Sequence, residues 1–496
     1  MDRCARMARY DFAPSFLAKR SPVQLAILLS LIATLASSEL PTPAAVSHPV
    51  SRFWLVVAVA MLPGLVAYFG GSYRLLADQP RDPESDTGEL ADALLARWID
   101  RTYVLWLGVT VAMVYVIGWP AVVRSNWDLA RFPLVDDLLV LAPTLLSLAG
   151  LWSGLFFLQR ERSWQVHRAL ALQSPTLPRW SRALPRYLVL QAKHQLLLVL
   201  APALVVLAIS EFMATENRAD TARWPVAVWV FPLLLVALPL LPFVLTRMWR
   251  TTPIPASPLR DRLLACTRDM HTQVRDILLW QTSGSVANAL VVGVTNRLSY
   301  VLLTDALVAE LSADELEVVV RHELAHLRRW HLPLRMGVLV LPIVGWLVLS
   351  QLLAAEMAQF AAWLTSMGIS ETLQLTVVTP ALLALHAVVV VGALARLLEH
   401  DADLLACRQS GEPLRLDPER TRHFAAALST LVPPGSESWF SRWLHPSTTR
   451  RIALLNASLE QPSRATAVHR RVNILGLLML LSTALLIAGS MCLLLR

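Results

Sequence analysis

Long apolar runs alternate with short polar segments along most of the chain, and only two polar stretches are long enough to fold on their own. Nine apolar runs approach or reach the roughly 20 residues that cross a hydrocarbon core as a helix. They cover about 23–37, 53–71, 103–123, 138–158, 188–209, 224–245, 334–355, 373–395 and 473–495. The first is short and fits a tilted or re-entrant segment. The pattern predicts five parts. Residues 1–246 form an N-terminal membrane region with about six helices. Residues 247–333 and 396–471 are the two halves of one soluble unit, 334–395 is a transmembrane hairpin between them, and 472–496 is a final span. The predicted fold class is mostly α: a polytopic helical membrane protein with an α+β domain that contains a small sheet.

Within the first polar stretch, Pro253, Pro255 and Pro258 break the chain. Arg260 to Val274 reads as an amphipathic helix. Ser285 to Val294 and Leu298 to Thr304 are rich in Val and Leu and flank Thr295-Asn296, which predicts two strands joined by a tight turn. Ser312 precedes Glu315 by three residues, the spacing of a capping box. The helix it opens is expected from Ala313 to about His331, with Pro333 marking its end.

Composition sharpens this picture. Of 496 residues, 55% are apolar and 16% charged, and mean hydropathy is +0.51, which argues against an ordinary soluble protein. The net charge of +8 is carried by arginines beside apolar runs and not by one basic face, so nucleic acid is not an expected partner and the lipid bilayer is. Arginine-rich loops (Arg74, Arg81, Arg97 and Arg101; Arg160 to Arg186) alternate with poor ones, and Glu356 to Thr372 has no Lys or Arg. The positive-inside rule then puts the N-terminus and both polar stretches on the cytoplasmic side; a bacterial inner membrane is the expected location. Basic residues from Arg3 to Arg20 precede the first apolar run, but no small-x-small cleavage site follows, so a retained helix is expected. Cys4, Cys266, Cys407 and Cys492 form no CxxC pair, which argues against a disulfide framework or a cysteine metal site.

The candidate chemistry lies in the polar stretches. His322-Glu323-Leu324-Ala325-His326 puts two histidines one helical turn apart, so both rings reach one metal, with Glu323 available as base for a metal-bound water. Zinc wants a third protein ligand and an open position. The spacing of a three-histidine site fails, because Arg329 and Leu332 occupy the required glycine and histidine positions. His331 reads instead as a helix-end histidine at the membrane boundary. Glu399 and Asp403, just past the eighth apolar run, are one turn apart; one carboxylate can bind the metal and the other can accept the free ring N–H of a ligating histidine. Neighbouring His400 and Asp401 are expected to be solvated. In His445-Pro446-Ser447-Thr448-Thr449-Arg450-Arg451-Ile452, a histidine and an arginine are candidates to stabilise an oxyanion.

These motifs, in the order Asn288-Ala289 with Gly293, His322-Glu323-x-x-His326, Arg396-x-x-Glu399-x-x-Ala402-Asp403 and His445-Pro446-x-x-x-x-Arg451-Ile452, resemble the integral-membrane zinc endopeptidases that include the bacterial heat-shock protease HtpX and the CAAX prenyl protease. The resemblance spans about Pro258 to Leu455. It implies a zincin-like protease domain with one zinc per chain held by His322, His326 and Glu399, and with Glu323 as general base. It further implies Asp403 as orienter of a ligand, His445 and Arg451 against substrate or the tetrahedral intermediate, and the Asn288-Ala289 strand as an edge that pairs with the substrate backbone. Membrane-protein or peptide substrates follow. The first six spans carry no motif of that family, and Arg321 stands before the first ligand where a small or apolar residue is expected.

Two other functions compete. A membrane-embedded signalling protease of the antirepressor type also carries HExxH and a later Glu with an acid four residues on, but lacks the Asn-Ala strand and the His-Pro motif. A transporter or scaffold with a degenerate protease domain would use His386, inside the eighth span; the intact Glu323 speaks against it.

Overall fold

The computed structural model describes residues 23–35, 45–77, 87–129, 132, 135–169, 179–196, 200, 242–282, 287–293, 295–369, 382, 385–409, 415–432 and 439–494. It is mostly helical and divides into two compact units, residues 1–236 with 438–440, and residues 237–437 with 441–496. The expected spans at 188–209 and 224–245, and much of 373–395, fall largely outside the described residues.

The first unit holds α1 (Val23–Leu35), α2 (Pro49–Leu65), α3 (Gly71–Ala77), α4 (Thr87–Val111), α5 (Val135–Ala169) and α6 (Trp180–Gln191). A π-helical turn at Val66–Gly70 joins α2 to α3, so the three form one rod. The rod packs closely on α5 because glycines meet: a Cβ on Gly154 would lie 2.2 Å from the Gly64 carbonyl oxygen. Its core is apolar and aromatic, with Trp106, Leu148, Leu151 and Phe156 fully buried.

The second unit carries β1 (Thr251–Pro253), α7 (Pro258–Asp269), β2 (Asp276–Trp280), β3 (Ala289–Val292), β4 (Tyr300–Thr304), α8 (Asp305–Glu310), α9 (Ala313–Arg328), α10 (His331–Leu352), α11 (Ala354–Ser366), α12 (Gly392–Ala406), α13 (Pro418–Leu431), α14 (Thr448–Glu460) and α15 (Pro462–Leu494). The sheet is mixed, in the order β1-β2-β4-β3, with β2 parallel to β4 and the other pairs antiparallel. The expected strand pair is β3 and β4, shorter than anticipated, and β3 is an edge. Gly293 ends it at φ +135°, where a Cβ would stand 2.2 Å from Ser299 Oγ, so glycine is required. β1 and β2 complete the sheet: β1 lies where the prolines were expected to break the chain, and β2 lies in a segment given no expected element. The helix expected to reach Val274 stops at Asp269.

A single core joins both polar stretches: Leu263, Ile277, Val301, Leu316, Val320 and Leu324 pack with Ala402, Phe424 and Leu455. The capping box is present, with Ser312 accepting from the Glu315 N–H and the Glu315 carboxylate accepting from the Ser312 N–H. Pro333 does not end that helix. The break comes at Trp330, in the left-handed region at φ 57°, and Pro333 lies in the first turn of α10.

Among the described residues, four helices are long and apolar enough to cross a membrane: Pro49–Arg74, Arg97–Val116, Val135–Arg162 and Pro462–Gly489. The last exposes Leu477, Leu480, Leu485 and Ile487 in turn, a surface suited to lipid. The protein is a multi-pass integral-membrane protein. Where an arginine-free loop was expected, Ala354–Ser366 is the helix α11, with Phe360 and Trp363 exposed.

Candidate metal centre

Helix α9 packs on α12 and α13, with Leu316, Val320 and Leu324 buried on one face and His322 buried on another. His322 Nε2 stands 3.3 Å from His326 Nε2 and 3.5 Å from Glu399 Oε2; His326 Nε2 is 3.5 Å from Glu399 Oε1. Three potential donor atoms to a metal thus converge on one point. A tetrahedral site with bonds of about 2.0–2.1 Å has edges of about 3.3–3.4 Å, so these spacings fit a zinc-sized ion.

The far ring nitrogens explain why a cation suits this point. His322 Nδ1 is 3.0 Å from Asp403 Oδ1, and His326 Nδ1 is 2.8 Å from His331 Nδ1. With each Nδ1 proton directed outward, both Nε2 lone pairs face a carboxylate, three acceptors with no donor among them. Burial disfavours a charged His322, but the hydrogen bonds to Asp403 and Glu399 outweigh it and push its pKa up to about 9. Burial likewise opposes an ionised Glu399, yet His445, His326 and His322 hold its pKa well below the usual carboxylate range.

Glu323 is half-buried beside the cluster, and its Oε2 accepts from the backbone N–H of Val291 at 3.2 Å. Burial raises its pKa, opposed by His322, which suits a group that must take and return a proton. Asn288 lies at the start of β3. Its carbonyl accepts from Thr304 N and its N–H donates to Thr304 Oγ1, so alternate residues from Asn288 face β4. Ala289 and Val291 therefore turn their backbone groups to the open edge, and the Val291 N–H meets Glu323 there.

Asp403 is fully buried. Arg451 grips it through both oxygens, Nε to Oδ2 at 2.8 Å and Nη2 to Oδ1, and its guanidinium lies 5.5 Å from the Phe424 ring centroid. Burial works against the Asp403 charge, but Arg451 and His322 lower its pKa to about 2. His445 is exposed at the rim, with Nδ1 3.0 Å from Glu399 Oε2.

Arg335 has no place in the sequence reading, and His331 and Asp401 take roles other than those expected. Arg335, four residues beyond His331 on α10, places Nη2 2.8 Å from Glu399 Oε1. His331 and Asp401 are each 0% exposed and 3.0 Å apart through His331 Nε2 and Asp401 Oδ2. The expectation of a solvated Asp401 is overturned: it also binds Arg329 Nε at 2.8 Å and His469 Nδ1. His400 is half-buried. The five-residue step from His326 to His331 was a signal, set aside because it fits no ligand spacing. The unexpected Arg321 is buried and neutralised by Asp269 and Glu317. His386 donates to or accepts nothing from the site; its Nε2 lies 2.9 Å from the Val338 carbonyl, a bond internal to the hairpin.

A mixed sheet with a free edge over an HExxH helix, and a carboxylate brought in from a second helix, define a metallopeptidase domain. Residues 259–459 match the model of peptidase family M48. No curated protein sequence matches the chain. Among solved structures, the chain is similar to the crystal structure of S. mikatae Ste24p, at 14% identity and a TM-score of 0.45, over 83% of this chain and 99% of that one.

Proposed function

We propose that the protein is a zinc-dependent endopeptidase of membrane or membrane-associated proteins, acting in quality control or processing, with its site on the cytoplasmic face of a bacterial inner membrane. The observation that carries the reading is the contact between Glu323 and the Val291 N–H, because it ties a half-buried carboxylate to an open sheet edge beside a three-acceptor cluster.

His322, His326 and Glu399 would hold the zinc, which when bound supplies Lewis acidity for water activation and carbonyl polarisation. Glu323 takes the proton from the attacking water and delivers it to the leaving amine. The substrate lies extended along β3, pairing with the backbone of Asn288-Ala289 in the way an added strand does. His445 at the rim supports the developing oxyanion, whereas Arg451, expected against substrate or the tetrahedral intermediate, grips Asp403 and so steadies the carboxylate that orients His322. The division into a membrane region over 1–246 and a protease unit split by the 334–395 hairpin belongs to the same proposal.

Comparison of membrane proteomes from cells carrying wild type or Glu323→Gln tests the substrate class. Integral or membrane-attached proteins should accumulate uncut in the variant. Identical proteomes would remove the endopeptidase assignment.

A further inference from the structure

The buried pair His331 and Asp401 lies outside the predicted ligand set, yet it touches it. We propose that His331, backed by Asp401, is a positioning residue that fixes the tautomer and orientation of His326 and so sets the metal affinity of the site. The inference rests on the reading of His326 as a metal ligand.

The chain of atoms is continuous. His326 Nδ1 is 2.8 Å from His331 Nδ1, and His331 Nε2 is 3.0 Å from Asp401 Oδ2. The two rings lie 4.9 Å apart at 72°, an edge-on arrangement that lets one nitrogen point at the other. A contact between two ring nitrogens holds one proton, and only two placements exist. Asp401 is an acceptor and also binds Arg329 and His469, which keep it ionised. It therefore takes the His331 proton on Nε2. That leaves His331 Nδ1 bare, and the shared proton must sit on His326 Nδ1. His326 Nε2 is then free of hydrogen and faces His322 Nε2 and Glu399 as a lone pair. The reverse placement would put hydrogen on His326 Nε2 and block ligation.

The backbone is shaped to make this contact. Trp330 adopts φ 57°, a left-handed conformation that non-glycine residues rarely take. The reversal it makes starts α10 at His331, so that the imidazole returns to His326 while Asp401 arrives from α12. The two candidate histidine ligands thus have separate supports, Asp403 behind His322 and the His331–Asp401 pair behind His326.

The test uses the full-length protein in detergent, with zinc affinity read by chelator competition and the Co(II)-substituted protein read by its d–d absorption. His331→Leu removes the acceptor and fills the space. It should weaken zinc about 10- to 100-fold, the usual effect of losing an outer hydrogen-bond partner, and should shift the cobalt bands. His331→Asn sets an amide oxygen near the place of Nδ1 and should recover affinity to within about threefold of wild type, by restoring the acceptor. Wild-type zinc affinity in His331→Leu, or equal losses in both variants, would overturn the proposal. If His331→Leu does not fold, nitrogen-15 histidine spectra of the zinc-loaded wild type decide. His331 protonated at Nε2 and bare at Nδ1 supports the relay, and the opposite tautomer overturns it. A wild-type protein that binds no zinc would instead remove the metal reading itself.

Discussion

Asp403 concentrates the electrostatics of the site: a buried carboxylate between His322 and Arg451. Its folded pKa, about 2, lies below its ordinary value, so the charge stabilises the fold fully above pH of about 4 and that stability fades as pH falls towards about 2. The shift corresponds to something on the order of 2 kcal/mol. Arg451→Met removes the main group that lowers it, so acid unfolding followed by circular dichroism should begin at higher pH than in wild type. An unchanged midpoint would show that the pair contributes no stability. The same carboxylate supports His322, and Asp403→Ala should loosen zinc by about tenfold to a hundredfold. His445→Ala should keep zinc and lose roughly a hundredfold or more in cleavage rate, the cost of one oxyanion donor. His322, Glu323, His326, Glu399 and Asp403 were legible because helical periodicity puts residues four apart on one face. His331, Asp401 and Arg335 were not. Their partners lie about 64–72 residues away in sequence, and only the crossing of α10 and α12 joins them.

At the scale of elements, β3 and α9 work together. The edge strand offers backbone groups outward at Ala289 and Val291, and Glu323 on α9 is bonded to one of them. Val291→Pro removes that N–H while leaving the β4 ladder intact, because proline is tolerated at an edge position whose N–H faces away from its neighbour. The variant should fold and keep its zinc but lose cleavage of an unfolded membrane-protein reporter; wild-type cleavage would separate the base from the edge strand. The strand pair β3–β4 and the capped helix α9 could be read from alternation and from Ser312 and Glu315. β1 and β2 could not. β1 has three residues, and Asp276–Trp280 has no alternating pattern because its partner β4 runs parallel and both are largely buried. Pro333 was read as a stop because proline ends helices from within, whereas here it stands in the first turn, where its missing N–H is harmless.

At the scale of the whole molecule, the part that matches peptidase family M48 shares the chain with helices long and apolar enough to cross a membrane, four of them among the described residues. Hydropathy made the membrane-spanning character legible, since length and apolar content are local properties. The joining of two distant polar stretches into one core was inferred only from their lying on one side of the hairpin. The cytoplasmic side proposed for them rests on arginine bias alone. Reporter fusions after Arg101, Arg168 and Arg260 should read as cytoplasmic, and one near Gly368 as external. An exported reporter at Arg260 would move the site to the other face. The claim on which the rest depends is that the histidine–glutamate cluster holds a metal and Glu323 does chemistry beside it. Zinc content and reporter cleavage, measured together on purified wild type, Glu399→Ala and Glu323→Gln, test it most directly. Wild type and Glu323→Gln should each carry close to one zinc, Glu399→Ala should lose most of it, and Glu323→Gln should cleave about a hundredfold to ten-thousandfold more slowly. Full zinc in Glu399→Ala, or wild-type cleavage by Glu323→Gln, would contradict it.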